Sequence, residues 1–369
     1  MSPPHIAVDL RILDRPGMER SGVGRYALES VLALRRARPE WKLTVHSNRP
    51  DLIEAGRGLD VRATRWPTGS GLGRVAWLHL RAARATRPAP DLWLGPAFVS
   101  PPGWRGPSVV TIHDLVFLLA PERYRGRLNA WYAARAVRSS ARRADRVLCA
   151  SAAVRERIIH HLGVDGARVV AAPWGVSAAF RRETDARDGR YLLFVGRWEA
   201  RKGLEVLHGA LREVAARGQR LPLVLAGGPG WGTETTLAAL LAEPEVDAVT
   251  DPSDEQLAAL YGGALALAYP SRMEGFGFPV AEAMACGCPV IASDLPEIRA
   301  WARDAPLYVP GGDRGRLADA ITLLATDPGR REEMARRGKA IAAGLTWDAH
   351  GEAVAATIEA TLSERSAAG

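Results

Sequence analysis

The chain predicts an α/β fold of two doubly wound parallel sheets, and three observations carry that expectation. Short apolar, β-branched runs alternate with longer amphipathic stretches from end to end, the pattern of parallel strands joined by helical crossovers. The pattern lapses once, over the polar and turn-forming SAAFRRETDARDG of residues 177–189, and then restarts. The charge changes sign at the same place: residues 1–180 hold 28 Lys and Arg against 14 Asp and Glu, and residues 181–369 hold 21 against 27. Two domains are therefore expected, residues 1–180 and 181–345, followed by a C-terminal segment, 346–369, that packs back on the first of them.

Taken in order, the first half offers strands at residues 5–10, 42–47, 91–95, 108–114, 144–151 and 168–173, with helices filling most gaps. The second half offers strands at 191–196, 221–228, 246–250, 264–270, 288–293 and 307–310. From Trp347 to about Leu362 the pattern is that of a helix capped by Thr346, with no strand after it. Open α/β sheets bind ligands at the carboxyl ends of their strands, so chemistry is expected just after strands, in a cleft between the two sheets.

Composition removes several classes. Cys149, Cys286 and Cys288 are too few and too irregularly spaced for a disulfide framework or a four-ligand zinc site, so a reducing cytoplasm is the expectation. The N-terminal MSPPHIAVDLR has no basic region leading into a long apolar one, and no run approaches the ~18 apolar residues of a membrane span. The net charge of +8 favours anionic partners such as phosphates, nucleic acid or a membrane face. Only Lys42, Lys202 and Lys339 among the 49 basic residues are lysine, which makes each more informative.

The densest motif is SRMEGFGFPVAEAMACGCPVIASD, residues 271–294, where a strand runs into a glycine-rich turn and then a helix. Pro279 suits the first helical turn, and the N–H groups of Phe276, Gly277 and Phe278 with the helix dipole form an anion site. Glu274 lies before the helix and Glu282 about a turn inside it. Each reads either as a ligand for hydroxyls or, more plainly, as a loop acid and a dipole complement. In FVGRWEARKGLEVLHGAL, residues 194–211, a strand ends at Gly196, and Arg197 and Lys202 bracket a loop before a helix. A lysine retained in so arginine-rich a chain suits a phosphate oxygen as a compact point charge; alone, it reads equally as a solvated loop charge.

Strand-G-R-x-x-x-R-K-G followed by E-G-F-G-F-P-x-x-E-A-M-A-x-G-x-P-V resembles the retaining glycosyltransferases of family 4, which have the GT-B fold, and Glu274 and Glu282 match the family's E-x7-E spacing. The resemblance runs over essentially the whole chain. It implies that Arg197 and Lys202 neutralise the diphosphate of a nucleotide-sugar donor, that Glu282 binds the ribose, and that Glu274 with the Phe276 and Gly277 backbone approaches the donor sugar and phosphate. Attack from the front face with retention is implied, with neither a cofactor nor a metal, and no Asp-x-Asp follows a strand.

SGVGRY, residues 21–26, is similar to the family's first glycine-rich loop, with Ser21 as helix cap and Gly22 and Gly24 letting backbone approach a ligand; a simple turn is the alternative. It lacks the third glycine of a dinucleotide fingerprint, which disfavours a dehydrogenase. TIHDLVF, residues 111–117, resembles a subset acting in bacterial surface-polysaccharide assembly, where the histidine lies beside the reacting sugar. His113 titrating near neutrality, its tautomer fixed by Asp114, is the functional expectation, and a cleft histidine on a backbone carbonyl the structural one. PWGVSAAF, residues 173–180, departs from the family by Ser177 in place of the usual acid. Gly228, in the strand end AGGPGWG of residues 226–232, opens space for a nucleotide, and Ser253 caps the helix of TDPSDEQLAALY, residues 250–261.

The activity expected is transfer of a hexose, mannose from GDP-mannose first, to a carbohydrate or lipid-linked acceptor. The arginine-rich residues 123–146, with Trp131 and Tyr132, suit an anionic membrane surface as a further partner and a peripheral place on the inner face of the membrane, or else form a solvated helix face. A nucleotide-sugar epimerase of the same fold is the alternative enzyme. A nucleic-acid binder rests on charge alone and leaves the E-x7-E helix unexplained, so nucleic acid is not an expected partner.

Overall fold

A computed structural model describes residues 3–53, 58–123, 126–181 and 189–368. The chain divides into two compact units, residues 1–175 with 347–369, and residues 176–346. The division falls after Gly175, earlier than the boundary expected after residue 180. Gly175 lies against the backbone of Trp347, 2.3 Å from where its Cβ would stand, whereas Val176 N donates to Leu345 O at 2.9 Å and the Phe180 ring meets Tyr261. Apolar Val176 and Phe180 thus belong to the second unit, Phe180 lying inside the segment 177–189, most of which lies outside the described residues.

The first unit holds seven parallel strands: β1 (His5–Asp9), β2 (Lys42–His46), β3 (Asp60–Arg62), β4 (Leu92–Gly95), β5 (Ser108–Thr111), β6 (Arg146–Cys149) and β7 (Val169–Ala171), in the order β3-β2-β1-β4-β5-β6-β7. All strands expected here are present, and β3 is an addition. It is three residues long, lies on the sheet edge, and carries an exposed Asp60–Arg62 ion pair in place of an apolar run. Ile6, Val8, Leu43, Val45, Leu92 and Leu94 form the core with helix Gly22–Ala37. The C-terminal helix Trp347–Ala368 belongs to this unit and adds Val354, Ala355 and Ile358 to that core. It crosses the first helix closely, because a Cβ at Gly351 would lie 2.6 Å from Ala33 O.

The second unit holds β8 (Tyr191–Val195), β9 (Leu223–Gly227), β10 (Val246–Thr250), β11 (Ala264–Tyr269), β12 (Val290–Ser293) and β13 (Leu307–Val309), ordered β10-β9-β8-β11-β12-β13 and all parallel. Strand order reverses between β8 and β11, so the chain leaves these neighbours in opposite directions and opens a crevice at their carboxyl ends. Both segments singled out in the sequence, 194–211 and 271–294, leave their strands at this junction.

Candidate active site

The residues after β8 enter the short turn Ala200–Lys202, closed by Gly203 in the left-handed region at φ 74°. A Cβ at Gly203 would stand 2.2 Å from Pro270 O, so only glycine lets the turn lie against the end of β11. That approach carries Lys202 across the reversal point. Its Nζ lies 2.6 Å from Glu274 Oε1 and 3.0 Å from the Tyr269 hydroxyl. Ser271 Oγ donates to the same carboxylate oxygen at 2.5 Å, and an Arg201 guanidinium nitrogen stands 3.5 Å from Glu274 Oε2. Lys202 and Glu274 are both buried. Burial alone would raise the Glu274 carboxyl, but Lys202 and Arg201 overcome it and push it down to about 2. Burial, with Arg201 alongside, lowers Lys202, and Glu274 opposes that change. Lys202 is therefore one half of a buried ion pair rather than a solvated loop charge.

Arg197 is placed differently. Its guanidinium donates to Pro229 O at 2.6 Å and stands 3.5 Å from Glu199, while the side chain remains nearly half exposed. Arg201, which the G-R-x-x-x-R-K-G string contains without assigning it a role, pairs with Glu199 at 3.0 Å and so joins the two acids of this corner. Gly228 also has a local reason to be glycine, since its Cβ would stand 2.9 Å from Asp251 Oδ1.

On the β11 side, Gly277 precedes helix Phe278–Cys286 in the left-handed conformation, with no side chain capping the helix and Pro279 in its first turn. Glu282 is buried, and Tyr261 donates its hydroxyl to Oε2 at 3.1 Å. Burial and that carboxylate push the Tyr261 phenol well up. Trp301, another residue without a sequence signal, donates its indole N–H to Phe276 O at 3.0 Å. The Cys-Gly-Cys step closes this helix: Gly287 takes the left-handed C-cap, and both thiols are buried and pushed up in pKa by that burial.

In the first unit, Ser21 caps helix Gly22–Ala37 by accepting from Gly24 N at 3.1 Å. The space over Gly24 is filled by the chain itself, since a Cβ there would lie 1.8 Å from Met18 O. His113 stands just past β5, buried among Tyr26, Phe98 and Trp174. Its Nε2 lies 2.8 Å from Pro96 O and must carry the proton, which leaves Nδ1 as a bare lone pair without a partner among the described residues. Burial pushes the imidazole down to about 4. The expectations of titration near neutrality and of a tautomer set by Asp114 are thus corrected. The Pro96 carbonyl sets the tautomer, and Asp114 instead accepts from Val116 N at 3.2 Å.

Two family models cover most of the chain. Residues 20–180 match Glycosyltransferase Family 4, and residues 177–341 match Glycosyl transferases group 1. The O-antigen chain mannosyltransferase B of Escherichia coli is 28% identical over 89% of this chain and 93% of that protein. The D-inositol 3-phosphate glycosyltransferase of Kineococcus radiotolerans is 28% identical over 98% and 96%. Among solved structures, Anabaena HepE in complex with UDP and glucose superposes with a TM-score of 0.71 at 18% identity, over 96% of this chain and 99% of that one. With two parallel α/β units, and with the E-x7-E pair and Lys202 at the strand-order reversal of the second, the chain belongs to the family 4 glycosyltransferases of GT-B fold.

Proposed function

We propose that this glycosyltransferase retains anomeric configuration and moves a hexose, mannose from GDP-mannose first, onto a carbohydrate or lipid-linked acceptor in polysaccharide or glycolipid assembly. The observation that carries the donor side of this reading is the convergence of Lys202, Glu274 and the start of helix Phe278–Cys286 at the β8–β11 reversal. Departure of a nucleoside diphosphate builds negative charge. Lys202, Arg197 and the N–H groups at the helix start supply the opposing field without a metal. Glu282, held by Tyr261, takes the ribose hydroxyls, and Glu274, ionised at neutral pH, takes hydroxyls of the sugar. In the first unit, His113 offers Nδ1 to an acceptor hydroxyl as a neutral base. The name of the Escherichia coli relative favours mannose, while the uridine nucleotide bound to HepE makes UDP the competitor.

A thermal-shift panel of GDP, UDP, ADP and dTDP tests the donor. A nucleotide at about 100 times its Kd stabilises the native state by about 2.7 kcal/mol. GDP is expected to raise Tm alone. A shift with UDP alone moves the donor to a uridine sugar, and no shift with any of the four defeats the donor reading.

The acceptor side includes a membrane face. Leu72 and Leu80 on helix Gly71–Leu80 are 86% and 64% exposed, and Leu128 and Trp131 on helix Arg127–Arg143 are 77% and 58% exposed. Tyr132 brings the two helices together, its hydroxyl 3.4 Å from His79 Nε2. Arg135, Arg138 and Arg142 share the solvent face of the second helix, with Arg135 over the Trp131 ring at 5.3 Å. Residues 124 and 125 of the basic run lie outside the described residues. No helix among the described residues is long and apolar enough to cross a membrane. Apolar tips ringed by arginine suit the headgroup region of an anionic bilayer, at about 1 kcal/mol per basic residue. Flotation with anionic liposomes is expected to carry the protein at low salt and to fall about tenfold in Leu128→Asp/Trp131→Ala. Absence of salt-sensitive binding removes the membrane from the reading.

A further inference from the structure

Ile298 and Trp301 lie one turn apart on helix Pro296–Ala302, and both press on the loop that opens helix Phe278–Cys286. Trp301 is buried. Its ring stacks on Phe276 with centroids 4.8 Å apart and planes 27° from parallel, and its Nε1–H meets the Phe276 carbonyl at 3.0 Å. Ile298 closes the other side, its Cδ1 standing 3.4 Å from where a Cβ on Gly277 would be. The peptide between Phe276 and Gly277 is a trans plane, so its carbonyl and its N–H point in opposite directions. Holding the oxygen toward Trp301 therefore turns the Gly277 N–H away from that helix. No acceptor among the described residues takes this N–H.

We infer that Trp301 is a positioning residue that aims the Gly277 N–H at the donor diphosphate. The inference rests on the proposed placement of the diphosphate at this helix start. Trp301 touches no ligand and acts through one peptide plane. With the carbonyl released, the Phe276–Gly277 plane loses the restraint that fixes the direction of the N–H, although the glycine and the helix remain. A packing role and a positioning role make opposite demands on substitutions at residue 301. Packing is best kept by phenylalanine, which retains an aromatic stack on Phe276. Positioning is best kept by histidine, whose Nε2 is joined to Cβ through the same number of ring bonds as the indole Nε1 and so reaches the same place.

The test compares Kd for GDP and GMP, with UDP and UMP as the second pair, in wild type, Trp301→Phe and Trp301→His. In the wild type the diphosphate is expected to bind more tightly than the monophosphate. In Trp301→Phe that preference is expected to shrink roughly tenfold, the worth of one hydrogen bond to a charged group, with monophosphate affinity little changed. In Trp301→His the preference is kept. A preference undiminished in Trp301→Phe, or lost equally in Trp301→His, overturns the inference and leaves the donor site standing. A wild type with no diphosphate preference in either pair overturns the diphosphate placement itself, and the inference with it. Should Trp301→Phe fail to fold, Trp301→His decides alone: a kept preference supports positioning and a lost one overturns it.

Discussion

Replacing Lys202 by methionine is expected to lower donor turnover by about 10²–10³-fold, the loss seen when one preorganised donor is removed from a developing anion. Methionine keeps most of the buried stem and removes only the charge, so packing against Tyr269 and Gly196 is largely retained. Stability falls as well, because the Glu274 carboxylate loses its nearest cation while still buried. Breaking a buried pair from one side costs about 3–5 kcal/mol. Arg201 at 3.5 Å and the Ser271 hydroxyl remain on that carboxylate and bring the expected loss to the lower end of the range. The two effects separate in the double variant Lys202→Met/Glu274→Leu, where no charge is left uncompensated at the pair. Denaturant titration should show stability returning toward wild type, while a turnover assay shows activity still lost. Glu282→Ala is likewise expected to lose turnover with folding intact. Full activity in Lys202→Met or in Glu282→Ala would remove these residues from the site.

The distance between what the sequence says and what the structure holds has a physical pattern. Parallel strands buried on both faces write themselves as unbroken apolar runs, which is why β1, β5, β8 and β11 are legible from the sequence. β3 is missed although the equally short edge strands β7 and β13 are legible, because Asp60-Val61-Arg62 sets a charge on either side of a single apolar residue. The helix Trp347–Ala368 is legible locally, but its docking on Gly22–Ala37 depends on Gly351 meeting Ala33, a contact between distant parts of the chain. The site divides the same way. Spacing identifies Glu274, Glu282 and Lys202. That Lys202 reaches Glu274 depends on Gly203 fitting under Pro270 O, a matter of backbone shape rather than residue type. Arg201 is spelled by the motif but its pairing with Glu199 and Glu274 is not, and Trp301 is one aromatic on a short helix that stands out only once its partner is known. For His113 the motif gives the residue, and only burial gives its charge state.

Burial of imidazoles also sets how the protein responds to acid. His46, His113 and His350 all lie buried in the first unit, and burial pushes each down to about 4 from an ordinary 6.5. The folded unit keeps them neutral where the unfolded chain protonates them. Their stabilising contribution is therefore complete above pH 6.5 and drains away as pH falls from 6.5 to about 4. Each is worth roughly 3 kcal/mol across that window, so the three together rival the whole stability of a domain, ~5–15 kcal/mol. His350 ties the C-terminal helix to the unit, its Nδ1 donating to Pro173 O and its Nε2 on Ser30 Oγ, and the cost of protonating it comes from burial, against the opposing pull of that carbonyl. The second unit titrates elsewhere. Glu274, depressed to about 2, contributes fully above the ordinary carboxylate range near 4.5 and loses that contribution only as pH falls from there toward 2. Calorimetry between pH 7 and 4 should therefore show the first unit's transition moving to lower temperature well ahead of the second unit's. In His350→Gln the pH slope of the first transition should be flatter by less than about a third, because one of the three largest imidazole differences is gone while the smaller ones of His5 and His161 remain. Transitions that move together, or a slope unchanged in His350→Gln, would contradict the assignment of acid sensitivity to these buried imidazoles.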